Sequence, residues 1–136
     1  MDGKEGIRPN GQPYRVLICD DAESEARTLK QLLEGRGYAI PEVFADGRSL
    51  MNWCRKHPGE ADLILLDIIM PTLDGFAAFW ELKGLESPPR VVFLSQENSS
   101  HVITHLINHG AQDYITKPYN RVKLLDRLKS ALRGLV

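Results

Sequence analysis

Apolar runs alternate along this chain with stretches whose apolar positions recur every three or four residues. Tyr14–Cys19 is a short β-rich run stopped by Asp20 and Asp21. From about Ala22 to Glu34 the spacing becomes helical, with Ala26, Leu29, Leu32 and Leu33 on one side and Gly35 and Gly37 as the stop. A weaker strand is predicted near Pro41–Ala45, then a helix near Gly47–Lys56 that Pro58-Gly59 ends. Asp62–Leu66 is almost wholly apolar, as expected of a central strand covered on both faces. Met70-Pro71 and Asp74-Gly75 break the chain before a third helix, Phe76–Lys83. Pro88-Pro89 precede a fourth strand, Arg90–Leu94. The polar segment Ser95–Ser100 leads into a helix with Val102, Ile103, Leu106 and Ile107 predicted inward, ended by Gly110. Gln112–Thr116 reads as a fifth strand and Tyr119–Arg133 as a final amphipathic helix.

Five strands alternating with five helices predict a doubly wound α/β fold, because right-handed crossovers put helices on both faces of a parallel sheet. One domain is expected over residues 14–136, preceded by a polar N-terminal tail, residues 1–13. In such a sheet the strand C-termini converge on one edge, where ligands bind. Asp20, Asp21, Asp67, Ser95 and Lys117 all fall at those ends.

Bulk properties narrow the partners. With 136 residues, 43% of them hydrophobic and 26% charged, the chain suits one ordinary globular core. A formal charge of −1 offers no electrostatic case for direct binding of nucleic acid. Its apolar runs fall well short of the roughly 20 residues that span a bilayer, so no membrane insertion is expected. The N-terminus lacks a hydrophobic signal core, and a cytoplasmic location is expected. Cys19 and Cys54 have no framework spacing and read as buried thiols.

An aspartate after a strand is usually a helix cap or turn residue. The combination of Asp20, Asp21, Asp67 and Lys117 outweighs that reading. Two carboxylates about 5 Å apart repel by roughly 3 kcal/mol at an effective dielectric near 20, so the cluster calls for a cation. Oxygen-only ligands with room for water and phosphate suit Mg²⁺ rather than Zn²⁺. Phosphoryl transfer needs a nucleophile, a metal and a cation on the phosphoryl oxygens. Asp67 is placed as the nucleophile. Asp20, Asp21 and Asp67, with the Ile69 backbone carbonyl, would hold the metal. Lys117 would supply a point charge, and Ser95 a hydroxyl for a phosphoryl oxygen.

These residues, quoted as Asp20-Asp21, Asp67-Ile68-Ile69-Met70-Pro71, Asp74-Gly75, Ser95 and Tyr114-Ile115-Thr116-Lys117-Pro118, resemble the receiver domain of two-component response regulators. The resemblance runs from about Tyr14 to Arg133, in a chain similar in length to stand-alone CheY-like regulators. It implies a flavodoxin-like five-stranded parallel sheet in the order 2-1-3-4-5. It implies transfer of a phosphoryl group from a sensor histidine kinase to Asp67, ended by autodephosphorylation; beyond that self-directed chemistry no enzyme activity is expected. It also implies a switch in which Ser95 moves toward the phosphoryl group and Tyr114 rotates inward behind it. The fourth helix, fifth strand and fifth helix would then bind a downstream protein target, as a monomer or as a phosphorylation-dependent dimer.

Two departures from the family pattern are visible. Gln96 stands where receivers usually have a small residue, which predicts slower phosphoryl access and switching. Ile69 is apolar where some members place a polar side chain toward the attacking water, a role open to Glu97. Three alternatives stand beside the receiver reading. A haloacid-dehalogenase-like phosphatase needs an acid two residues after the nucleophile, where this chain has Ile69. A flavodoxin would not place Asp20-Asp21-Ala22-Glu23 against a phosphate. A phosphorylation-independent pseudo-receiver predicts loss of a pocket residue, and all are present. A relay to a histidine phosphotransfer protein stays open. No helix-turn-helix or effector segment follows the last helix, so the output is expected to be binding. His101, His105 and His109 form an exposed stripe on the fourth helix, read as a polar surface. Arg121, Lys123, Arg127, Lys129 and Arg133 give the last helix a basic character.

Overall fold

The computed structural model describes residues 4–135. Its elements run β1 (Val16–Cys19), α1 (Glu23–Glu34), β2 (Val43–Phe44), α2 (Gly47–Lys56) and β3 (Leu63–Leu66). They continue with α3 (Gly75–Lys83), β4 (Arg90–Ser95), α4 (Ser100–Asn108), β5 (Asp113–Thr116) and α5 (Arg121–Ala131). The five strands form one parallel sheet in the order β2-β1-β3-β4-β5, as anticipated.

Successive strand residues point to opposite faces, which explains why the central strands are apolar throughout. Leu17, Cys19, Ile64, Leu66, Val91 and Phe93 pack on one side against α2, α3 and α4. Val16, Ile18, Leu63, Leu65, Val92 and Leu94 pack on the other against α1 and α5. The edge strand β2 is only two residues long, shorter than the predicted Pro41–Ala45. The last helix starts at Arg121 because Asn120 caps it, its side chain accepting the Lys123 N–H at 3.1 Å. Among the described residues no helix is long and apolar enough to cross a membrane.

Helix α4 departs from the predicted pattern. Leu106 is its one fully buried residue, Val102 and Ile103 are partly covered, and Ile107 is 39% exposed rather than inward. With Leu106 at the centre of the contact, Val102 lies about 40° to one side and Ile103 about 60° to the other, whereas Ile107 is rotated about 100° away, onto the flank. The histidine stripe is exposed as expected, and His105 and His109 meet Trp80 of α3 edge-on. Both cysteines are free and buried, and burial pushes the Cys54 thiol up to about 11.

Residues 4–15 are more ordered than a polar tail. Ile7 pairs antiparallel with Pro13, and the Gly6 N–H donates to the Arg36 carbonyl at 2.9 Å. This small hairpin brings Arg8 onto Asp62, a buried carboxylate just before β3. Arg15 reaches the same carboxylate from its backbone N–H (2.7 Å) and guanidinium (3.0 and 3.2 Å). Residues 1–3 of the expected tail lie outside the described residues. Burial alone would raise the Asp62 carboxyl, but the bonds from Arg15 and Arg8 outweigh it and hold it below the usual carboxylate range.

Asp62→Asn is expected to lower the unfolding free energy by about 2 kcal/mol at pH 7. That is below the loss for a fully buried pair, because the Arg15 side chain is 35% exposed. The folded-state value is depressed, so the contribution is present above the unfolded carboxylate range and is lost as pH falls through the folded value. Urea unfolding followed from pH 7 down to pH 2 should show the wild-type advantage shrinking toward zero.

Candidate functional site

Each strand C-terminus on the β1-β3-β4-β5 side of the sheet delivers one of the predicted side chains. Asp20 follows β1, its N–H donating to the Phe44 carbonyl (2.9 Å) and its Oδ1 accepting the Ala22 N–H (2.9 Å). Asp67 follows β3, with its N–H on the Cys19 carbonyl (3.0 Å) and its Oδ1 accepting the Ile68 N–H (2.7 Å). These backbone ties extend the β1-β2 and β1-β3 ladders by one residue, so the sheet register sets the spacing of the two carboxylates. Asp21 joins them from an exposed position. One oxygen from each of Asp20, Asp21 and Asp67 lies within 4.8 Å of the others.

Lys117 enters from the end of β5, where its N–H donates to the Ser95 carbonyl (2.8 Å) and its peptide to Pro118 is cis. Its ammonium is 2.5 Å from Asp20 Oδ2, 3.4 Å from Asp67 Oδ2 and 3.3 Å from Glu25 Oε1. Burial on its own would lower the lysine; the Asp20 bond, with the charges of Asp20 and Asp67, outweighs it and raises the ammonium well above its ordinary value. Burial pushes the Asp20 carboxyl up against the pull of Lys117, and the neighbouring Asp67 charge adds to that push. The clustered carboxylates of Asp20, Asp21 and Asp67, with Glu25 beside them, outnumber the single ammonium and leave an excess of negative charge.

The donor set suits a hard divalent cation. All its side-chain ligand atoms are carboxylate oxygens in a tight cluster with unbalanced charge. The Ile69 carbonyl accepts no hydrogen bond among the described residues. Ile69 itself is 73% exposed.

Ser95 ends β4 and is 1% exposed, its Oγ accepting the Glu97 N–H at 3.3 Å. Tyr114 is already inward, its ring stacked near Phe93 and its hydroxyl donating to the Glu97 carbonyl at 2.6 Å. The Glu97 carboxylate accepts the Ser99 N–H (3.0 Å), which engages it in the turn before α4 rather than with the pocket. Ser99 in turn caps α4.

Two contributors escaped sequence reasoning. Glu25, in the first turn of α1, adds a third carboxylate to Lys117; an acid three residues past the N-cap Ala22 was the available signal. Gly75 is the other: a Cβ there would stand 2.2 Å from the Asp67 carbonyl oxygen. Asp74-Gly75 reads in the sequence as a chain break and as part of the receiver-like motif set, with no steric reason attached; that close approach is what lets α3 start against Asp67.

Comparison with known proteins bears on this arrangement. The profile of the response regulator receiver domain matches residues 16–129. The chain is 32% identical over 128 residues to the chemotaxis protein CheY of Treponema pallidum (strain Nichols), covering 94% of this chain and 89% of that one. It is 36% identical over 118 residues to the response regulator GtcR of Aneurinibacillus migulanus, covering 87% of this chain but 47% of that longer protein. Among solved structures, the CheX-CheY-BeF3-Mg complex from Borrelia burgdorferi superposes with a TM-score of 0.87 at 30% identity, over 92% of this chain and 94% of that one.

The uncompensated charge has a measurable consequence. Asp67→Asn keeps an oxygen for the Ile68 N–H and removes one of three mutually repelling carboxylates. In metal-free buffer with chelator it is expected to melt higher than wild type, by about 1 kcal/mol or roughly 3–5 °C, once the lost Lys117 attraction is set against the relief. Thermal unfolding followed by circular dichroism checks this.

Proposed function

The chain belongs to the response regulator receiver family, and from that premise we propose that it accepts a phosphoryl group on Asp67 in a two-component pathway. The observation that carries this reading is Lys117, placed between Asp20 and Asp67 in a cluster with excess negative charge.

The donor would be a phosphohistidine on a sensor histidine kinase. An Asp67 carboxylate oxygen attacks phosphorus, the P–N bond breaks, and its electron pair returns to the imidazole. The product is an acyl phosphate on Asp67. Mg²⁺, held by Asp20, Asp21, Asp67 and the Ile69 carbonyl, would supply charge neutralisation on the phosphoryl oxygens. Lys117 gives a second positive charge within reach of the same oxygens, and the Ser95 hydroxyl can donate to one of them. Hydrolysis of the acyl phosphate by water resets the site; catalysis is confined to the protein's own phosphorylation and dephosphorylation.

The output runs through Glu97. Ser95 Oγ engages the Glu97 N–H, Tyr114 bonds the Glu97 carbonyl, and the Glu97 carboxylate holds Ser99, the cap of α4. Drawing Ser95 to a phosphoryl group that carries about −1.5 to −2 charge disturbs this chain and shifts the population of α4 positions. Helix α4 is the least anchored helix of the sheet, with Leu106 alone fully buried. The α4-β5-α5 face then binds the target, presenting Ile107 and Val122, which is 65% exposed, beside the basic residues Arg121 and Lys123. The Borrelia burgdorferi neighbour is found in complex with CheX. A protein of that kind is the partner class we favour, with binding by the monomer or by a phosphorylation-dependent dimer.

Incubation with acetyl phosphate, followed by intact mass, is the direct test. A single phosphoryl adduct that requires Mg²⁺ and vanishes in Asp67→Asn is expected. Mg²⁺ should also raise the wild-type melting temperature by mass action and have a smaller effect on Asp67→Asn. A protein that binds Mg²⁺ yet takes phosphate from neither acetyl phosphate nor any partner kinase would be a phosphorylation-independent binding module instead.

A further inference from the structure

The loop between Asp67 and Gly75 carries both the phosphoacceptor and the Ile69 carbonyl, and its far side is gripped by residues outside the acidic pocket. Thr72 lies in the left-handed region (φ 64°), which a β-branched residue rarely adopts and which the surroundings must therefore enforce. Its hydroxyl donates to Asp46 Oδ1 at 3.2 Å and accepts the Arg48 N–H at 3.4 Å. Asp46 is the N-cap of α2, accepting the Ser49 N–H (2.8 Å) and hydroxyl (3.0 Å). The next residue, Gly47, approaches so closely that a Cβ would stand 1.9 Å from the Leu73 carbonyl oxygen.

The same hinge of β2 and α2 also touches the other half of the site. The Asp46 carbonyl accepts from the Cys19 thiol at 3.5 Å, and that sulfur lies 3.3 Å from Met70 Sδ. Cys19 immediately precedes Asp20, and Met70 immediately follows Ile69. Asp46 thus stands between the strand end that bears the metal carboxylates and the loop that bears the metal carbonyl. Ile69 is 73% exposed and packs into no core cluster, so the flanks of the loop must set where its carbonyl stands.

We propose that Asp46 and Thr72 are positioning residues for the divalent-cation site, holding the Ile69 carbonyl in register with the Asp20 and Asp21 carboxylates. This rests on reading the acidic pocket as a Mg²⁺ site. Mg²⁺ demands near-ideal octahedral geometry, so a carbonyl released from its clasp is a poor ligand.

The test pairs Thr72→Val, which keeps the branched shape and loses the hydroxyl, with Thr72→Ser, which keeps the hydroxyl. Asp46→Ala is paired with Asp46→Asn, which retains both cap and acceptor. Mg²⁺ is titrated by calorimetry into each protein, and each is melted in chelator. Thr72→Val and Asp46→Ala are expected to bind Mg²⁺ about tenfold more weakly, the lower end of what loss of an outer-shell partner costs, with Thr72→Ser and Asp46→Asn close to wild type. In acetyl phosphate reactions the Mg²⁺ concentration for half-maximal rate should rise by the same factor, with the rate at saturating Mg²⁺ little changed. Thr72→Val binding Mg²⁺ as tightly as wild type, whatever its melting temperature, would overturn the proposal and leave the clasp purely structural. Wild type that takes up no Mg²⁺ would instead remove the pocket reading, and this inference with it.

Discussion

One ammonium among carboxylates governs this molecule. Lys117 sits 2.5 Å from Asp20 and 3.4 Å from Asp67, at the end of a sheet whose register leaves those acids no freedom to separate. Coulomb repulsion at such spacing is worth several kcal/mol at an effective dielectric near 20, and a single lysine cancels only part of it. The fold therefore holds a pocket that is short of positive charge, and in the function proposed above the missing charge is what a divalent cation would supply. The pocket opposes the fold's own stability in the way that functional sites commonly do.

That tension is bearable because the rest of the sheet is so conventional. Residues of β1, β3 and β4 alternate between two hydrophobic layers, one under α2, α3 and α4 and the other under α1 and α5. At the opposite edge of the sheet from the acids, Asp62 is matched by Arg8 and Arg15, so the two ends of β3 carry carboxylates in contrasting states of compensation. The paired end contributes stability, and the underpaired end is the one on which the proposed function rests.

Stability is also distributed unevenly among the helices. Helix α1 buries Ala26, Leu29 and Leu33, and α5 buries Leu124, Leu125, Leu128 and Ala131. Helix α4 buries Leu106 alone and is tied to the pocket by short polar contacts through Glu97 and Ser99. A weakly packed element joined to a charged site by a few hydrogen bonds is the arrangement in which a local change of charge can bias a population. Tyr114 fits this picture: its inward ring and its bond to Glu97 place it between the sheet core and the turn that starts α4.

Element order, a doubly wound parallel sheet and the membership of the acidic cluster were legible in the residue pattern, while the strand order 2-1-3-4-5 was implied by the family resemblance. Strand residues that are apolar on both faces and helices with one apolar stripe admit few other folds, and topology then carries Asp20, Asp21, Asp67, Ser95 and Lys117 to one edge. What composition and spacing could not show are contacts between segments distant along the chain. The hairpin of residues 4–15 reads as polar because the contacts that tie it to the sheet, among them Arg8 to Asp62 and Gly6 to Arg36, join positions far apart along the chain. Ile107 reads as core because periodicity reports a helix face but not how much of that face a neighbour covers. Glu25, Asp46 and Thr72 look like ordinary helix-start and turn residues until the fold sets them beside Lys117 and the Ile69 loop. Local pattern determined which segments would form and which side chains would share an edge, since both follow from hydrophobic periodicity. Tertiary structure alone decided the distances, and distance is what turns a set of acids into a site.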